Sequence, residues 1–202
     1  LLKFRVNIDI QDKNGYTLDP YPINEALALV YAELASKSYT GLACSFGAGM
    51  VNVCYAIFGA PVFEFSIVNS GDWIDKMSAR ALSESTAYVN KEKEKVDLTK
   101  DSDEMVYRVI KAQYEIMISK TVKKIKEGLE EAGNKAHTAK PIDVVIAGGT
   151  SSPNGFDTLF KKLLLQQELS IEIDNIIRPK DPLYSVARGC LVAAEAHQGT
   201  ER

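Results

Sequence analysis

Two glycine-containing segments carry the clearest chemical signal in this chain, residues 45–50 (SFGAGM) and residues 146–150 (IAGGT). Each follows a short apolar run that predicts a buried strand, residues 41–44 before the first and residues 142–145 before the second. Glycines placed there let the backbone turn sharply and bring its N–H groups close to an anion, which is how phosphates are held without a basic side chain. Taken alone, either segment is at least as typical of a tight turn chosen for close packing, so the residues leave both interpretations open.

The composition agrees with a soluble globular domain. With 202 residues and a net charge of -3, the chain offers no strongly basic surface for nucleic acid. No apolar stretch approaches the roughly 18 residues needed to cross a bilayer, so we expect no membrane span and a cytoplasmic location. The three cysteines and two histidines lie far apart in sequence, which predicts neither a metal cluster nor a disulfide framework.

The apolar patterning predicts the elements that hold these segments. Residues 1–10 alternate like an edge strand, an Asp19-Pro20 start predicts a helix along residues 23–34, and three strands follow in a meander. Later segments predict two helices beyond Ser70, one long or two joined helices over residues 103–132, and a final strand, helix, strand, helix order. The predicted strands are 41–45, 50–58, 62–68, 142–147, 170–177 and, as an option, a short one at 95–99.

A set of motifs in fixed order gives the chain a recognisable resemblance. The set comprises Asp19-Pro20 before an apolar helix, residues 45–53, Gly71-Asp72 at a helix start, residues 147–155, and residues 181–189. In this order it resembles the second, carboxy-terminal lobe of the actin, heat-shock chaperone and sugar kinase ATPase superfamily, and it is most similar to the bacterial and archaeal actin-like proteins. The resemblance covers nearly the whole chain from about Asp19 to Ala194.

The resemblance implies a fold and a domain division. We expect an α/β, actin-like ATPase (ribonuclease H-like) lobe with a mixed sheet, flanking helices and an inserted small, mainly helical subdomain. Residues 1–71 and 141–202 would form the core with its connector helices, which carry Asp19 and Ser185, and residues 72–140 the insertion. Because only one of the two lobes of the superfamily is present and the chain starts with Leu1, we expect a carboxy-terminal fragment whose first lobe is missing.

The resemblance also implies a nucleotide site. Residues 45–50 correspond to the second phosphate loop and residues 146–150 to the adenosine loop, while part of the helical insertion flanks the adenine ring. The ligand would be ATP or ADP with Mg²⁺. The residues implied in binding are Ser45, Gly47, Ala48, Gly49, Met50, Lys91, Glu92, Gly148, Gly149 and Thr150.

The first loop departs from the family pattern at three positions. An acidic residue is expected where the chain has Ser45, a threonine where it has Met50, and often a second acidic residue where it has Asn52. A neutral serine cannot hold the water shell of a divalent cation as a carboxylate does, so the sequence predicts weakened hydrolysis with phosphate binding through backbone amides retained. No catalytic residue is assigned.

Two classes of function remain open. The first is a filament-forming or partner-switching actin-like ATPase, a cytoskeletal type of protein that binds nucleotide between two lobes and associates with itself. The second is a non-catalytic actin-fold module for assembly or regulation. The three departures in the first loop favour the second class and the intact adenosine loop favours the first. A sugar or acetate kinase is a weaker third class, because no insertion shapes a small-molecule pocket.

Overall fold

The structure is a computed structural model that describes residues 10–11, 17–18 and 22–200. The predicted strand over residues 1–9, the turn at 12–15 and the helix start at Asp19-Pro20 lie outside the described residues. The strands are β1 (Ile10–Gln11), β2 (Thr17–Leu18), β3 (Gly41–Phe46), β4 (Val51–Ile57), β5 (Ala60–Ile67), β6 (Ile142–Ala147) and β7 (Ile173–Ile177). The helices are α1 (Glu25–Glu33), α2 (Gly71–Leu82), α3 (Thr86–Lys93), α4 (Met105–Ala132), α5 (Phe156–Leu165) and α6 (Pro182–Thr200).

A mixed five-stranded sheet forms the centre of the fold, with the strand order β5-β4-β3-β6-β7. The strands β3, β4 and β5 pair antiparallel, and β6 and β7 add in parallel to β3 and to each other. Strands β1 and β2 form a separate antiparallel pair. This arrangement confirms the predicted α/β class with its mixed sheet, flanking helices and inserted helical segment. The boundaries of the division at residues 72–140 stay a prediction.

Side chains alternate between the two faces of the sheet and build two cores. On one face Leu42, Cys44 and Phe46 of β3 join a large core that includes α2, α4 and α5. On the other face the small residues Ala43, Cys54 and Ala56 join a second core beneath α1. Since Ser45 and Asn52 have the same parity as these small residues, they face the side of the sheet that α1 covers.

The structure corrects several predicted boundaries. Helix α1 begins at Glu25, and the Asn24 side chain accepts a hydrogen bond of 2.8 Å from the Ala26 amide, so the helix starts well after Asp19-Pro20. Strand β5 includes Pro61, which an edge strand tolerates because one side of its backbone has no ladder partner. The last strand begins at Ile173 rather than at residue 170.

The optional strand at residues 95–99 does not form. The Asp97 carboxylate instead accepts hydrogen bonds from the Thr99 amide at 3.0 Å and from the Thr99 hydroxyl at 2.5 Å. An aspartate that bonds the backbone two residues on stabilises a turn in competition with a strand. The long segment that follows is a single helix, α4, with one side buried over most of its length.

Candidate functional site

The two glycine loops lie together at one edge of the sheet. Ser45 of β3 pairs with Ala147 of β6, and because these strands are parallel neighbours, the loops that follow them leave the sheet side by side. The Thr150 hydroxyl of the second loop donates a hydrogen bond of 2.7 Å to the Gly47 carbonyl of the first. Residues separated by a hundred positions in sequence therefore form one site.

The start of α2 holds the first loop by donating hydrogen bonds to its carbonyl groups. The Gly47 carbonyl also accepts hydrogen bonds from the Ser70 hydroxyl and, at 3.3 Å, from the Gly71 amide. The Ala48 carbonyl accepts from the Asp72 amide at 2.8 Å. A Cβ on Gly71 would lie 2.6 Å from the Thr150 hydroxyl oxygen, so this approach requires glycine.

The same contacts turn the loop amides towards open space. In a trans peptide the N–H points away from the preceding C=O, so carbonyls held by α2 direct the Ala48 and Gly49 amides to the opposite side. Within the described part of the chain, no acceptor receives the amides of Ala48, Gly49 or Met50, whereas the Gly47 amide bonds the Met50 carbonyl at 3.0 Å. A Cβ on Gly49 would meet nothing within 4 Å. The first loop thus presents free N–H groups beside an open space, with the Met50 side chain exposed.

The second loop depends on a glycine with positive φ. Gly148 has φ +97°, and a Cβ there would overlap the Phe46 backbone. Its carbonyl accepts from the Ser151 amide at 3.0 Å and from the Ser151 hydroxyl at 2.7 Å, which closes a 3₁₀ turn over Gly149–Ser151. Gly149 again has open space where a side chain would stand. Thr150 is buried, and its hydroxyl is engaged in joining the loops.

A carboxylate from α1 reaches the first loop. Oε2 of Glu25 accepts hydrogen bonds from the Ser45 hydroxyl at 3.0 Å and from the Asn52 side-chain amide at 3.2 Å. Ser45 and Asn52 are paired across β3 and β4, and the Asn52 carbonyl oxygen accepts from the Ser66 hydroxyl of β5 at 2.6 Å. This orders a row of donors that ends on one oxygen of Glu25.

The other oxygen of this carboxylate is available. Among the described residues nothing donates to Oε1 of Glu25, and the side chain is exposed. Its position in the first turn of α1 also suits a negative charge, because the amide dipoles of a helix leave positive charge there. Glu25 was not identified as a site residue from the sequence. Asn24 is a favourable N-cap and would have indicated that Glu25 lies in the first turn of α1, but the helix was expected to start at Asp19-Pro20.

The predicted adenine-flanking residues lie on α3. Lys91 is exposed, and Glu92 forms a 2.7 Å ion pair with Lys95. Among the described residues no hydrogen bond joins either of them to the glycine loops. The neighbouring Lys93 is closer to the loops, because its ammonium group lies 2.7 Å from Oδ1 of the buried Asp75 and 3.3 Å from the Gly71 carbonyl.

The segment after α3 closes over the second loop. The Leu98 amide donates to the Asn154 carbonyl at 2.8 Å, and the Asn154 side chain donates to Asp97 at 3.2 Å. Hydrogen bonds from the Thr99 side chain and then from Asn154 hold the pKa of the Asp97 carboxyl well below its usual range. The helical insertion is therefore joined directly to the segment that follows Thr150.

The connector helices α1 and α6 cross closely. A Cβ on Gly189 would overlap the Ala28 carbonyl oxygen, so the crossing requires glycine. One helical turn away, Glu33 accepts from the Ser185 hydroxyl at 2.8 Å and pairs with Arg188 at 2.8 Å. The predicted connector residue Ser185 thus joins the two helices, while Asp19 lies outside the described residues.

Other chemistry in the described residues is limited. No three His, Cys, Asp or Glu side chains come together there as a metal cluster would require. Burial raises the pKa of the Cys54 thiol to about 12 and raises that of Cys44 as well, so these thiols are protonated and unreactive near neutral pH. Within the described ranges, no helix combines the length and apolar character needed to cross a membrane.

The sheet order, the helices on both faces and the paired loops at one edge give this lobe an actin-like fold. The chain belongs to the volactin family, whose model matches residues 9–194. No curated protein sequence matches it.

Three solved structures share the fold. The MamK double helical filament superposes with a TM-score of 0.67 at 17% identity, and a non-polymerising MamK point mutant bound to AMPPNP with 0.66 at 18%. Each match covers 85% of this chain and 58% of MamK. The ethanolamine utilization protein EutJ from Carboxydothermus hydrogenoformans matches with 0.56 at 18%, over 84% of this chain and 54% of EutJ. The chain therefore spans little more than half the length of these proteins.

Proposed function

We propose that this lobe binds ATP or ADP with Mg²⁺ at the paired glycine loops, in an actin-like ATPase that associates into filaments. The observation that carries the proposal is the meeting of two glycine loops, in the first of which Thr150 and the start of α2 hold the carbonyls of Gly47 and Ala48 while the amides of Ala48, Gly49 and Met50 stay free. Free amides in a concave loop bind phosphate oxygens. The Glu25 carboxylate beside them adds a group that can act on water.

The loop residues fit a nucleotide in different ways. The amides of Ala48, Gly49 and Met50 would bind phosphate oxygens, and the open positions at Gly49 and Gly149 leave room for the ligand. Gly148, Gly149 and Thr150 would lie beside the nucleoside. Lys91 and Glu92 remain proposed neighbours of the adenine ring, as the superfamily resemblance implies.

The residues also fit a Mg²⁺ ion held mainly by the nucleotide. Mg²⁺ keeps several of its waters and is commonly bound through substrate phosphates and one or two carboxylates. Glu25 is the carboxylate that accepts hydrogen bonds from Ser45 and Asn52 here, and its free oxygen can accept from such a water. When bound, the ion would neutralise charge on the phosphates.

For hydrolysis we assign Glu25 the role that the sequence left unfilled. Its Oε1 would orient the attacking water and take up its proton, and Ser45 and Asn52 would position the carboxylate by bonding its Oε2. The alternative, a non-catalytic assembly module, is favoured by the neutral residues Ser45, Met50 and Asn52. It predicts that Glu25 is dispensable for turnover.

The proposal extends to partners and location. Self-association is supported by the structural likeness to MamK, which forms a double helical filament. A first lobe would cover the open side of the glycine loops, so the 202-residue lobe alone is expected to bind ATP poorly, because half a site loses contacts at the same immobilisation cost. We place the protein in the cytoplasm.

Binding is tested by calorimetry on the complete protein with ATP and Mg²⁺. Gly49→Asp is the sharp variant, since it adds a negative charge in the open space beside the free amides without meeting any protein atom. We expect it to weaken binding at least tenfold, with Gly49→Asn as the matched neutral control that weakens it less. Equal binding by the wild type and Gly49→Asp, at unchanged unfolding temperature, would place the nucleotide elsewhere.

A further inference from the structure

The turn between β4 and β5 presents an exposed aromatic side chain. Its two residues, Phe58 and Gly59, have φ of 51° and 77°. A two-residue hairpin turn with both φ values positive favours Asn-Gly, and an aromatic residue at its first position is strained. The Phe58 side chain is also 79% exposed, so burial within the protein does little to offset this backbone strain.

The turn is held firmly in place. The Phe58 amide donates to the Thr40 hydroxyl at 2.9 Å, and the Gly59 amide donates to the Tyr39 carbonyl at 3.0 Å. The Tyr31 hydroxyl donates to the Gly59 carbonyl at 2.9 Å, and the Tyr31 and Tyr39 rings meet edge to face at 5.9 Å. Phe58 therefore projects from a rigid support, which lowers the entropy lost when it binds a partner.

The helical insertion contains a groove of matching character. It has a volume of about 570 Å³ and lies at the end of α2 and the start of α3, with Trp73, Met77, Ala79, Arg80 and Thr86 among its lining residues. Trp73 and Met77 supply apolar surface, Lys76, Ser83 and Glu84 make the rest of the wall polar, and Arg80 supplies a cation for the face of an aromatic ring. This volume exceeds that of a phenylalanine side chain.

The groove and Phe58 lie at opposite ends of the molecule. Strand β4 starts at the glycine-loop edge and ends at the Phe58 turn, while α2 starts at the glycine-loop edge. Helix α4 connects the two ends: a Cβ on Gly128 would lie 3.1 Å from the Phe63 ring, and the Ala136 carbonyl just beyond the helix accepts from the buried Tyr55 hydroxyl at 2.8 Å.

The remaining length of α4 extends beyond the sheet. Its 28 residues span about 42 Å, whereas the eight residues of β5 span roughly 26 Å. The amino-terminal half of α4 therefore overhangs the glycine-loop edge, and there Tyr107 bonds the carbonyl of Asp97 in the segment after α3. Helices α2 and α3 pack on α4, and the Lys120 ammonium near the middle of α4 lies 5.0 Å from the centre of the Trp73 ring. The groove therefore lies on the glycine-loop side of the lobe, and Phe58 lies at the far end of β4.

We propose that Phe58 of one copy inserts into the groove between α2 and α3 of the next copy. Because the two surfaces differ and lie at opposite ends, the contact repeats head to tail and builds an open chain. The inference rests on the proposed self-association but on neither nucleotide binding nor hydrolysis. It names the contact that joins neighbours along the filament.

Phe58→Asn tests this contact without endangering the fold, because asparagine tolerates positive φ better than phenylalanine does. In the complete protein we expect an unfolding temperature equal to or above that of the wild type. The minimum concentration for assembly, measured by light scattering and sedimentation, should rise at least tenfold. Leu165→Gln, which removes another exposed apolar residue on α5, is the control and should assemble like the wild type.

A mixing experiment tests the head-to-tail geometry. Met77→Glu should block the groove while leaving Phe58 intact, and each variant alone should remain monomeric. Mixed in equal amounts, the two variants can form one contact, so sedimentation should show one-to-one pairs and no longer chains. Normal assembly of Phe58→Asn, or absence of pairs in the mixture, would overturn this inference while leaving wild-type self-association standing. A wild type that never assembles with nucleotide present would overturn both this inference and the proposed self-association, and would leave the proposed nucleotide binding standing.

Discussion

The Ser45 hydroxyl donates a hydrogen bond of 3.0 Å to Oε2 of Glu25. This contact changes how the neutral residue Ser45 near the end of β3 is interpreted. The sequence alone suggests that a carboxylate has been lost from the first loop, whereas in the structure Ser45 contacts one supplied by another element. In the proposed mechanism the serine would position this carboxylate, because the negative charge next to the loop comes from Glu25 in the first turn of α1.

The first prediction concerns turnover in the complete protein. Glu25→Gln keeps the size and the acceptor oxygen but cannot take up a proton, so we expect phosphate release to fall about a hundredfold. ATP affinity measured by calorimetry should stay within a few fold, which separates loss of chemistry from loss of binding. Unchanged turnover in Glu25→Gln would favour the non-catalytic module.

The second prediction reverses what the sequence suggests about Ser45. If the first loop merely lacked a carboxylate, Ser45→Asp would restore turnover. With Glu25 within hydrogen-bond distance, the added carboxylate would repel it, and one of the two must move or take up a proton. We expect Ser45→Asp to release phosphate no faster than the wild type, and Ser45→Thr, which retains the hydroxyl, to stay close to it. A clear gain in Ser45→Asp would contradict this role for Glu25.

Much of the fold was predictable because its signals are local. Apolar runs, glycine turns and the stop at Gly133 indicate the central strands and α4 without tertiary information. The boundaries that failed were decided by single side chains: Asn24 caps α1, and Asp97 stabilises a turn in place of a strand. Such side-chain bonds to the backbone compete with periodicity and leave only a weak trace in the sequence.

The candidate site was predictable only in part, for the same reason. Gly47 and Gly148 can be recognised in the sequence because both follow apolar strands. The two loops meet because β3 and β6 are paired in parallel. The pairing of Ser45 with Asn52, and the approach of Glu25 to both, depends on strand register and on where α1 begins. Neither is contained in a short motif.

The third prediction concerns the crossing of the connector helices. Replacing a glycine in a helix by alanine ordinarily stabilises by up to about 1 kcal/mol. At Gly189 the added methyl group would overlap the Ala28 carbonyl oxygen, a backbone atom that cannot rotate away. We expect Gly189→Ala to lower the free energy of unfolding by about 2 kcal/mol or more.

The control for Gly189 is the same replacement within α4. A Cβ on Gly128 would lie 3.1 Å from the Phe63 ring, a side chain that can shift. Gly128→Ala should therefore be close to neutral in urea unfolding. Equal effects of the two replacements would show that α1 and α6 do not cross as closely as described.

The fourth prediction uses a buried carboxylate at the other edge of the sheet. Asp143 of β6 is almost fully buried, pairs with Lys37 at 3.0 Å, and accepts from the Asn175 side chain at 3.0 Å and its amide at 3.2 Å. Burial alone would raise the pKa of Asp143, but the hydrogen bonds from Lys37 and Asn175 together outweigh it and hold the pKa below its usual value.

A lowered pKa in the folded state means that the ionised carboxylate stabilises the fold at neutral pH. That contribution is complete above the unfolded-state pKa of about 4 and is lost as the pH falls through the lower folded-state value.

Asp143→Asn should therefore cost about 1 to 2 kcal/mol of unfolding free energy at pH 7, since Asn can still accept from Asn175 but no longer pairs with Lys37. The difference from the wild type should shrink as the pH falls below about 4. Thermal unfolding of both proteins between pH 7 and pH 3 measures it, with Asp174→Asn as the exposed control that changes little at any pH. A cost that stays constant over this range would mean that the charge of Asp143 contributes nothing to stability.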